Sequence, residues 1–392
     1  MSAFPGLPID EAEDAAELRA LVREIVTDIA TPARIREYDE REAFDDELYR
    51  ALAQAGLVQL EADLDGTPAR AVSETVVLEE LGATATSIAV SLVVQYMGLA
   101  LLCAHGTPEQ REAVLAPLFA GEGRVAFALS EPDGGTDVAR QMRVRATRQD
   151  DGSWRLKGTK TWISGASDCR WMVVLARTAE IERAAIDGIT MFLVPRDATG
   201  LEVSVLDTIG IHSLSTCEVV FDDVVVPASA VLGEEGRGFR QVIGTLNGER
   251  LNAAAVALGI ARGAHTAAVT YARERQAFGR PIGAFQVLQH RLADGAVAIE
   301  AARGLVQRAA RATEDGTPSA SVLTAMAKVA ASTASTDVTD AGMRVLGGFG
   351  LSREADMQRF FRDARLYTFA PLTDEMIRNF IGEHHLGLPR SY

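Results

Sequence analysis

The residues from Phe127 to Val138 run Phe-Ala-Leu-Ser-Glu-Pro-Asp-Gly-Gly-Thr-Asp-Val, and they combine groups that could grip a ligand. Ser130 and Thr136 can donate to oxygens or ring nitrogens. Gly134 and Gly135 let backbone N–H groups come close to a bound molecule because no Cβ intervenes. The same residues also suit an acidic surface turn, since Pro-Asp-Gly-Gly turns well by itself. A second polar patch follows at Lys160-Thr161-Trp162-Ile163-Ser164-Gly165, with an aromatic and a hydroxyl two residues apart.

A candidate acid or base lies further on. Val242, Leu246, Ala253, Val256 and Ile260 share one stripe at helical spacing, and Glu249 falls in the middle of it with Arg250 at its edge. A carboxylate on an apolar face is costly unless it is paired or put to use, and burial makes it a stronger base. An internal ion pair and a catalytic base both satisfy that pattern. The run Arg273-Glu-Arg-Gln-Ala-Phe-Gly-Arg-Pro-Ile282, followed by Phe285-Gln286, carries arginines that could neutralise a phosphate, or could form a solvated helix end. Val345-Leu-Gly-Gly-Phe-Gly350 is a Gly-rich turn, a weak phosphate signal when taken alone.

These residues need elements to hold them. The first third of the chain reads as helices, with Leu18, Leu21, Val22, Ile25 and Ile29 at helical spacing, then Phe44, Leu48 and Leu52. Gly56 fits a helix stop, and Thr107-Pro-Glu-Gln110 a capped helix start. From Arg124 the period changes to short β-rich runs at Gln141–Arg148, Ser153–Ile163, Trp171–Arg177, Ile189–Pro195, Leu201–Leu206 and Glu218–Pro227, with a charged loop at Glu180–Asp187. After Gly236, Ala-rich stretches near 238–273, 284–311 and 319–346 predict the long helices of a bundle. The expected class is therefore α+β: residues 1–122 an all-α unit, 123–233 a β-barrel or sandwich, and 234–392 a four-helix bundle.

The totals exclude several functions. A net charge of -15 argues against nucleic acid and anionic membrane as main partners. Cys103, Cys169 and Cys217 are far apart and odd in number, which reads as thiols kept reduced, and neither they nor the six histidines show metal-ligand spacing apart from His384-His385, which reads as solvated tail, so no metal is expected. Ala83–Ala104 holds no charged residue and is long enough to span a bilayer. Its Thr84, Thr86, Ser87, Ser91 and Gln95, and the lack of flanking basic residues, favour a central buried helix over membrane insertion. The N-terminus, with Asp10, Glu11, Glu13 and Asp14, has no basic-then-apolar leader, and the expected location is cytoplasmic.

Taken together these stretches resemble the acyl-CoA dehydrogenase family over essentially the whole chain. The Ser-Glu-Pro loop, Trp162-Ile-Ser, Thr216–Pro227, Arg275-Gln-Ala-Phe-Gly with Phe285-Gln286, Leu346-Gly-Gly and Arg362-Asp-Ala-Arg365 occur in the family's order. The resemblance implies bound FAD, a homotetramer or homodimer, and a role in fatty-acid or amino-acid catabolism. It places Phe127, Leu129, Ser130, Gly135 and Thr136 at the flavin and the near end of the substrate, with Trp162 and Ser164 at the flavin ring. Arg275, Phe278 and Gln286 would reach the FAD of a neighbouring subunit, with Arg275 on its pyrophosphate, and Gly347 and Gly348 would let that cofactor pass. Thr373 would meet FAD phosphates near a helix start. Asn247 and Arg250 would hold the CoA or pantetheine arm. Arg344 stands where a flavin-contacting Gln is common, and His212 where an Arg is common.

One departure matters most. Where many members carry the catalytic Glu, this chain has Phe369-Ala-Pro-Leu-Thr373, so Pro371 occupies the position and cannot take a proton. The second arrangement in the family, found in isovaleryl-CoA and long-chain dehydrogenases, uses a Glu-Arg pair on the bundle helix. That pair here is Glu249-Arg250, with Asp374 and Glu375 as fallback bases. The implied reaction is α,β-desaturation of an acyl thioester: Glu249 removes the α-proton, flavin N5 accepts the β-hydride, and backbone near 371 or Leu372 steadies the thioester oxygen. An electron-transfer flavoprotein is the implied acceptor. Alternatives within the fold are action on carrier-protein-bound acyl groups, a flavin oxidase or N-hydroxylase, an enoyl-thioester reductase, or a non-enzymatic FAD-binding subunit.

Overall fold

The computed structural model describes residues 9, 11–60, 70–181 and 183–391. Asp10 in the acidic N-terminal stretch and Glu182 in the charged 180–187 connection lie outside the described residues.

Six helices come first: α1 (Glu13–Ile29), α2 (Pro32–Glu40), α3 (Asp46–Gln54), α4 (Ala71–Gly82), α5 (Thr86–His105) and α6 (Pro108–Phe119). Their starts are written in the sequence. Thr31 caps α2 with Pro32 at its first position, and the Asp45 carboxylate accepts from Leu48 N–H at 3.1 Å to cap α3. The Thr107–Gln110 capping box opens α6 with reciprocal bonds of 3.0 and 3.2 Å. Helix α5 is apolar and long enough to cross a membrane by composition, yet most of it is buried inside the protein.

The middle of the chain forms one sheet of eight strands among the described residues. In chain order it contains β1 (Val125–Ala128), then a short helix α7 (Val138–Gln141), β2 (Arg145–Arg148), β3 (Trp154–Ser164) and β4 (Trp171–Arg177). β5 (Ile189–Pro195), β6 (Leu201–Val205), β7 (Thr216–Val226) and β8 (Val231–Leu232) complete it. The strand order is β6-β7-β3-β2-β4-β5-β8, with β1 pairing parallel to β4. The β-run expected at 141–148 is shorter than its composition suggests. The Glu131 carboxylate accepts from the N–H groups of Arg143 at 2.6 Å and Val144 at 3.1 Å, so these two donors are lost to the ladder.

The last part is helical: α8 (Gly238–Ile243), α9 (Leu246–Glu274), α10 (Gln286–Glu314), α11 (Ala320–Leu346), α12 (Met357–Ala364) and α13 (Asp374–His384). The stretch expected as one helix from 238 breaks at Gly244-Thr245, where the Thr245 hydroxyl turns back to Val242 O at 2.9 Å. The end of α9 is not a frayed terminus. Residues 276–281 form a two-stranded hairpin, β9 (Gln276–Ala277) with β10 (Arg280–Pro281), whose turn has Phe278 and Gly279 at φ 51° and 76°. Three helices of this part are long, and the shorter α12 and α13 pack on α11.

Helix α4 crosses α9 at very short range. A Cβ on Gly259 would lie 2.3 Å from Glu79 O, and one on Gly82 would lie 2.5 Å from Val256 O. Beside this crossing Glu79 and Glu80 form a buried ion network with Arg19 of α1, Arg262 of α9 and Arg303 of α10, at 2.5 to 3.7 Å. Every partner is charged and bonded, which offsets the cost of burying them. This network and the glycine contact fix where the middle of α9 stands.

Candidate active site

The Ser-Glu-Pro loop follows β1 and is pinned from three sides. Lys160, fully buried on β3, donates to Leu129 O and to the Glu131 carboxylate, both at 2.8 Å. Burial pushes the Lys160 ammonium down to about 8 against the pull of Glu131. Thr161 N–H donates to Ser130 O at 3.0 Å. Glu131 is therefore a staple: its carboxylate holds Lys160 and the two backbone N–H groups of residues 143 and 144. Phe127, Leu129 and Ser130 are half-buried, while Gly135 and Thr136 are exposed. A Cβ at Gly135 would meet nothing within 4 Å, so a ligand has room to approach.

The pairing of β3 with β7 shifts register between Lys160 and Ile163. Trp162 sits in that bulge at φ 62°, a conformation few side-chain-bearing residues adopt, and its indole is 62% exposed. The bulge turns Trp162 outward beside the loop, with half-buried Ser164 two residues on. Gln95 of α5 ties this region to the helices, accepting from Val125 N–H at 2.7 Å and donating to Val125 O at 3.1 Å.

Glu249 lies in the first turn of α9 and lines a cavity of about 380 Å³. Val93, Tyr96, Met97 and Ala100 of α5 form one wall, and α4 and the α10–α11 turn close the rest. Desolvation pushes the Glu249 carboxyl up to about 7, against the opposing pull of the Arg250 cation. Of the stripe read from the sequence, Val242, Ala253, Val256 and Ile260 are buried; the side chain of Leu246 lies outside the described residues. Arg250 donates to Asn247 Oδ1 at 3.5 Å and stands 5.2 Å over the ring of Phe380 on α13. The segment before α13 is clamped as well. Lys328 Nζ donates to Tyr367 O, Leu372 O and Asp374 Oδ1 at 2.7, 3.1 and 2.6 Å, and Ser332 Oγ donates to Asp374 Oδ2 at 2.9 Å. Asp374 is thus spent in a buried ion pair, and Glu375 is exposed. The Thr373 hydroxyl caps α13 by accepting from Met376 N–H at 3.2 Å.

The remaining residues stand apart. Arg275, Phe278 and Gln286 lie at the opposite end of α9, which spans 29 residues and therefore roughly 40 Å. Gly347 and Gly348 end α11 at that same end, where Tyr271 stacks on Phe349 at 5.6 Å. Arg344 is exposed and pairs with Asp340 at 2.7 Å. Lys160 and Glu131 hold the loop beside the Trp162 bulge, Lys328 holds the segment with Leu372, and Glu249 lines the cavity between α4, α5 and α9, while the Arg275 group lies at the far end of α9. Sequence reasoning missed the supports: Lys160, Glu131, Lys328 and Ser332 carry no spacing signature, because their partners are distant in the chain.

Comparison with known proteins agrees with this architecture. Three family models match in tandem: the acyl-CoA dehydrogenase N-terminal domain over residues 12–122, the middle domain over 126–224 and the C-terminal domain over 236–386. The chain is 36% identical over 360 residues to a short-chain specific acyl-CoA dehydrogenase from Bos taurus, covering 90% of this chain and 85% of that one. It superposes on butyryl-CoA dehydrogenase from Megasphaera elsdenii with a TM-score of 0.89 at 32% identity, over 97% and 100% of the two chains. A glutaryl-coenzyme A dehydrogenase in complex with glutaryl-CoA gives a TM-score of 0.90 at 30% identity, over 98% of each chain. With all three domains present in order, the chain belongs to the acyl-CoA dehydrogenase family of FAD-dependent oxidoreductases acting on CH–CH groups.

Proposed function

We propose that this enzyme desaturates an acyl-CoA thioester with Glu249 as the base. The observation that carries the reading is a carboxylate in the first turn of α9, lining a cavity, its affinity for protons raised by burial to about 7. A base poised near neutral pH is matched to taking a weakly acidic α-proton. Pro371 has no proton-accepting group, and Asp374 is held by Lys328 and Ser332.

The residues present fit FAD. The glycine at 135 leaves open space, Ser130, Thr136 and Ser164 offer hydroxyls, and Trp162 offers an exposed ring. FAD supplies the acceptor for the β-hydride. Phe127, Leu129, Ser130, Gly135 and Thr136 line its approach, and Trp162 and Ser164 orient its ring. Glu249 takes the α-proton onto its carboxylate. Pro371 lacks an N–H, so the Leu372 N–H is the main-chain donor for the thioester oxygen, and the Lys328 clamp positions it. Asn247 and Arg250 hold the CoA arm, and Thr136 flanks the thioester. The Arg275 group lies too far along α9 to share one cofactor with Glu249, which supports Arg275, Phe278, Gln286, Arg344, Gly347 and Gly348 meeting a neighbouring subunit's FAD in a homodimer or homotetramer. Thr373 meets phosphate near the α13 start. Family membership supports an electron-transfer flavoprotein as acceptor, and the buried free thiols Cys169 and Cys217 suit a reducing cytoplasm.

The test is Glu249→Gln. The variant retains FAD, and anaerobic bleaching by acyl-CoA slows about 10²- to 10⁴-fold. Bleaching at the wild-type rate overturns the assignment.

A further inference from the structure

Arg250 is a cation with no carboxylate in contact. It lies half-buried near the start of α9, and no acid among the described residues forms an ion pair with it. Its side-chain bond to Asn247 Oδ1, at 3.5 Å, is longer than an ordinary N–H···O bond. Burial lowers its proton affinity, against the opposing pull of Glu249 next to it in the chain.

What Arg250 does meet is a ring. Its guanidinium stands 5.2 Å over the centroid of Phe380, within reach of the cation–π attraction. That attraction holds the cation without consuming its N–H donors, so the fork stays available to a substrate. Phe380 is half-buried, and His384 one turn further along α13 stacks on it with ring centroids 4.3 Å apart. The ring is placed by the same clamp that holds Leu372. Lys328 binds Leu372 O and Asp374, and α13 begins at Asp374. Six residues of helix carry the chain about 9 Å from Asp374 to Phe380. One anchored helix therefore sets the spacing between the Leu372 segment and the ring that carries Arg250.

We propose that Phe380 is a positioning residue that aims Arg250 at the CoA arm of the substrate. The inference rests on the reading of Arg250 as the contact for that arm. Without the ring the long side chain samples other rotamers, and binding loses what that ordering supplied. Phe380 touches neither the α-carbon nor the base, so its loss shows in binding and not in the limiting rate.

The experiment compares Phe380→Leu, which stays apolar but removes the ring, with Phe380→Tyr, which keeps it. Hexanoyl-CoA is the probe. Its Kd for each holoenzyme is measured by calorimetry, and the limiting rate of anaerobic bleaching is measured at a pH well above the Glu249 midpoint. Phe380→Leu weakens binding about 3- to 10-fold and leaves the limiting rate within about twofold, while Phe380→Tyr binds as wild type does. In an Arg250→Met background, adding Phe380→Leu weakens binding no further, because the ring acts through the cation. Flavin absorbance and thermal unfolding check each variant, and Phe380→Met takes the place of Phe380→Leu if the latter does not fold. Wild-type binding in Phe380→Leu, or losses that simply add in the double variant, overturns the proposal and leaves the role of Arg250 standing. Wild-type binding in Arg250→Met overturns the reading of Arg250 and this inference with it. Undiminished bleaching in Glu249→Gln overturns the base alone.

Discussion

The raised proton affinity of Glu249 bears on stability and, through its proposed role as base, on activity. Its carboxyl is raised from 4.5 to about 7, so the proposed base is ready to take a proton only as pH rises through about 7. The expected profile of kcat/KM for anaerobic flavin reduction therefore falls on the acid side with a midpoint near 7. Stability moves the other way. Between 4.5 and about 7 the folded protein holds a proton that the unfolded chain has released, so rising pH costs stability across that window. Glu249→Gln should therefore be more stable than wild type above pH 7, with the difference gone below 4.5, as chemical unfolding at several pH values can check. Lys160 gives the converse case. Lys160→Met leaves the Glu131 carboxylate buried without its cation, which costs about 3–5 kcal/mol. Adding Glu131→Gln recovers part of that loss in unfolding titrations, because the second change removes the stranded charge while keeping an acceptor for one of the two N–H groups of residues 143 and 144.

Elements decide which of these residues can meet. Helices α4 and α9 approach so closely at Gly82 and Gly259 that no side chain fits between them. Gly259→Ala must push Glu79 and its carbonyl away, at a cost of about 1–3 kcal/mol. The shift also strains the 2.9 Å bond from Asn252 to Glu74, so the unfolding midpoint falls. Much of this layer was legible in advance. The capping box at Thr107, the strands Trp171–Arg177 and Ile189–Pro195 and the three long helices follow from local periodicity and local capping. So did Glu249, because a carboxylate breaking an apolar stripe is visible without a partner. The break at Gly244-Thr245 and the hairpin at 276–281 were not, since each depends on one or two backbone angles that composition does not dictate. The supports around the loop were invisible for another reason: Lys160 meets Glu131 and Lys328 meets Asp374 only after the chain has folded.

At the scale of the molecule, the 29 residues of α9 separate Glu249 from the hairpin that carries Phe278. That ring is 94% exposed, and Val287 and Leu351 are also exposed. Large apolar groups left in water mark a contact surface. Phe278→Asp is expected to shift sedimentation toward monomer and to weaken FAD retention, while leaving the fold intact by circular dichroism. A variant that stays assembled with full FAD content would show that the hairpin serves neither purpose.

The bulge that turns Trp162 outward also equips the protein with an optical reporter. Of its three indoles, Trp154 is buried, Trp171 is half-buried, and Trp162 alone is 62% exposed. Emission from Trp162 in the cofactor-free protein should lie at long wavelength, as suits an indole in water. With the flavin in its proposed place against that ring, the excited state of Trp162 drains by energy transfer. Titrating FAD into stripped protein therefore quenches the red edge of the emission first, and Trp162→Phe removes that component while sparing the blue-shifted remainder. Cofactor occupancy can then be followed continuously with no added label.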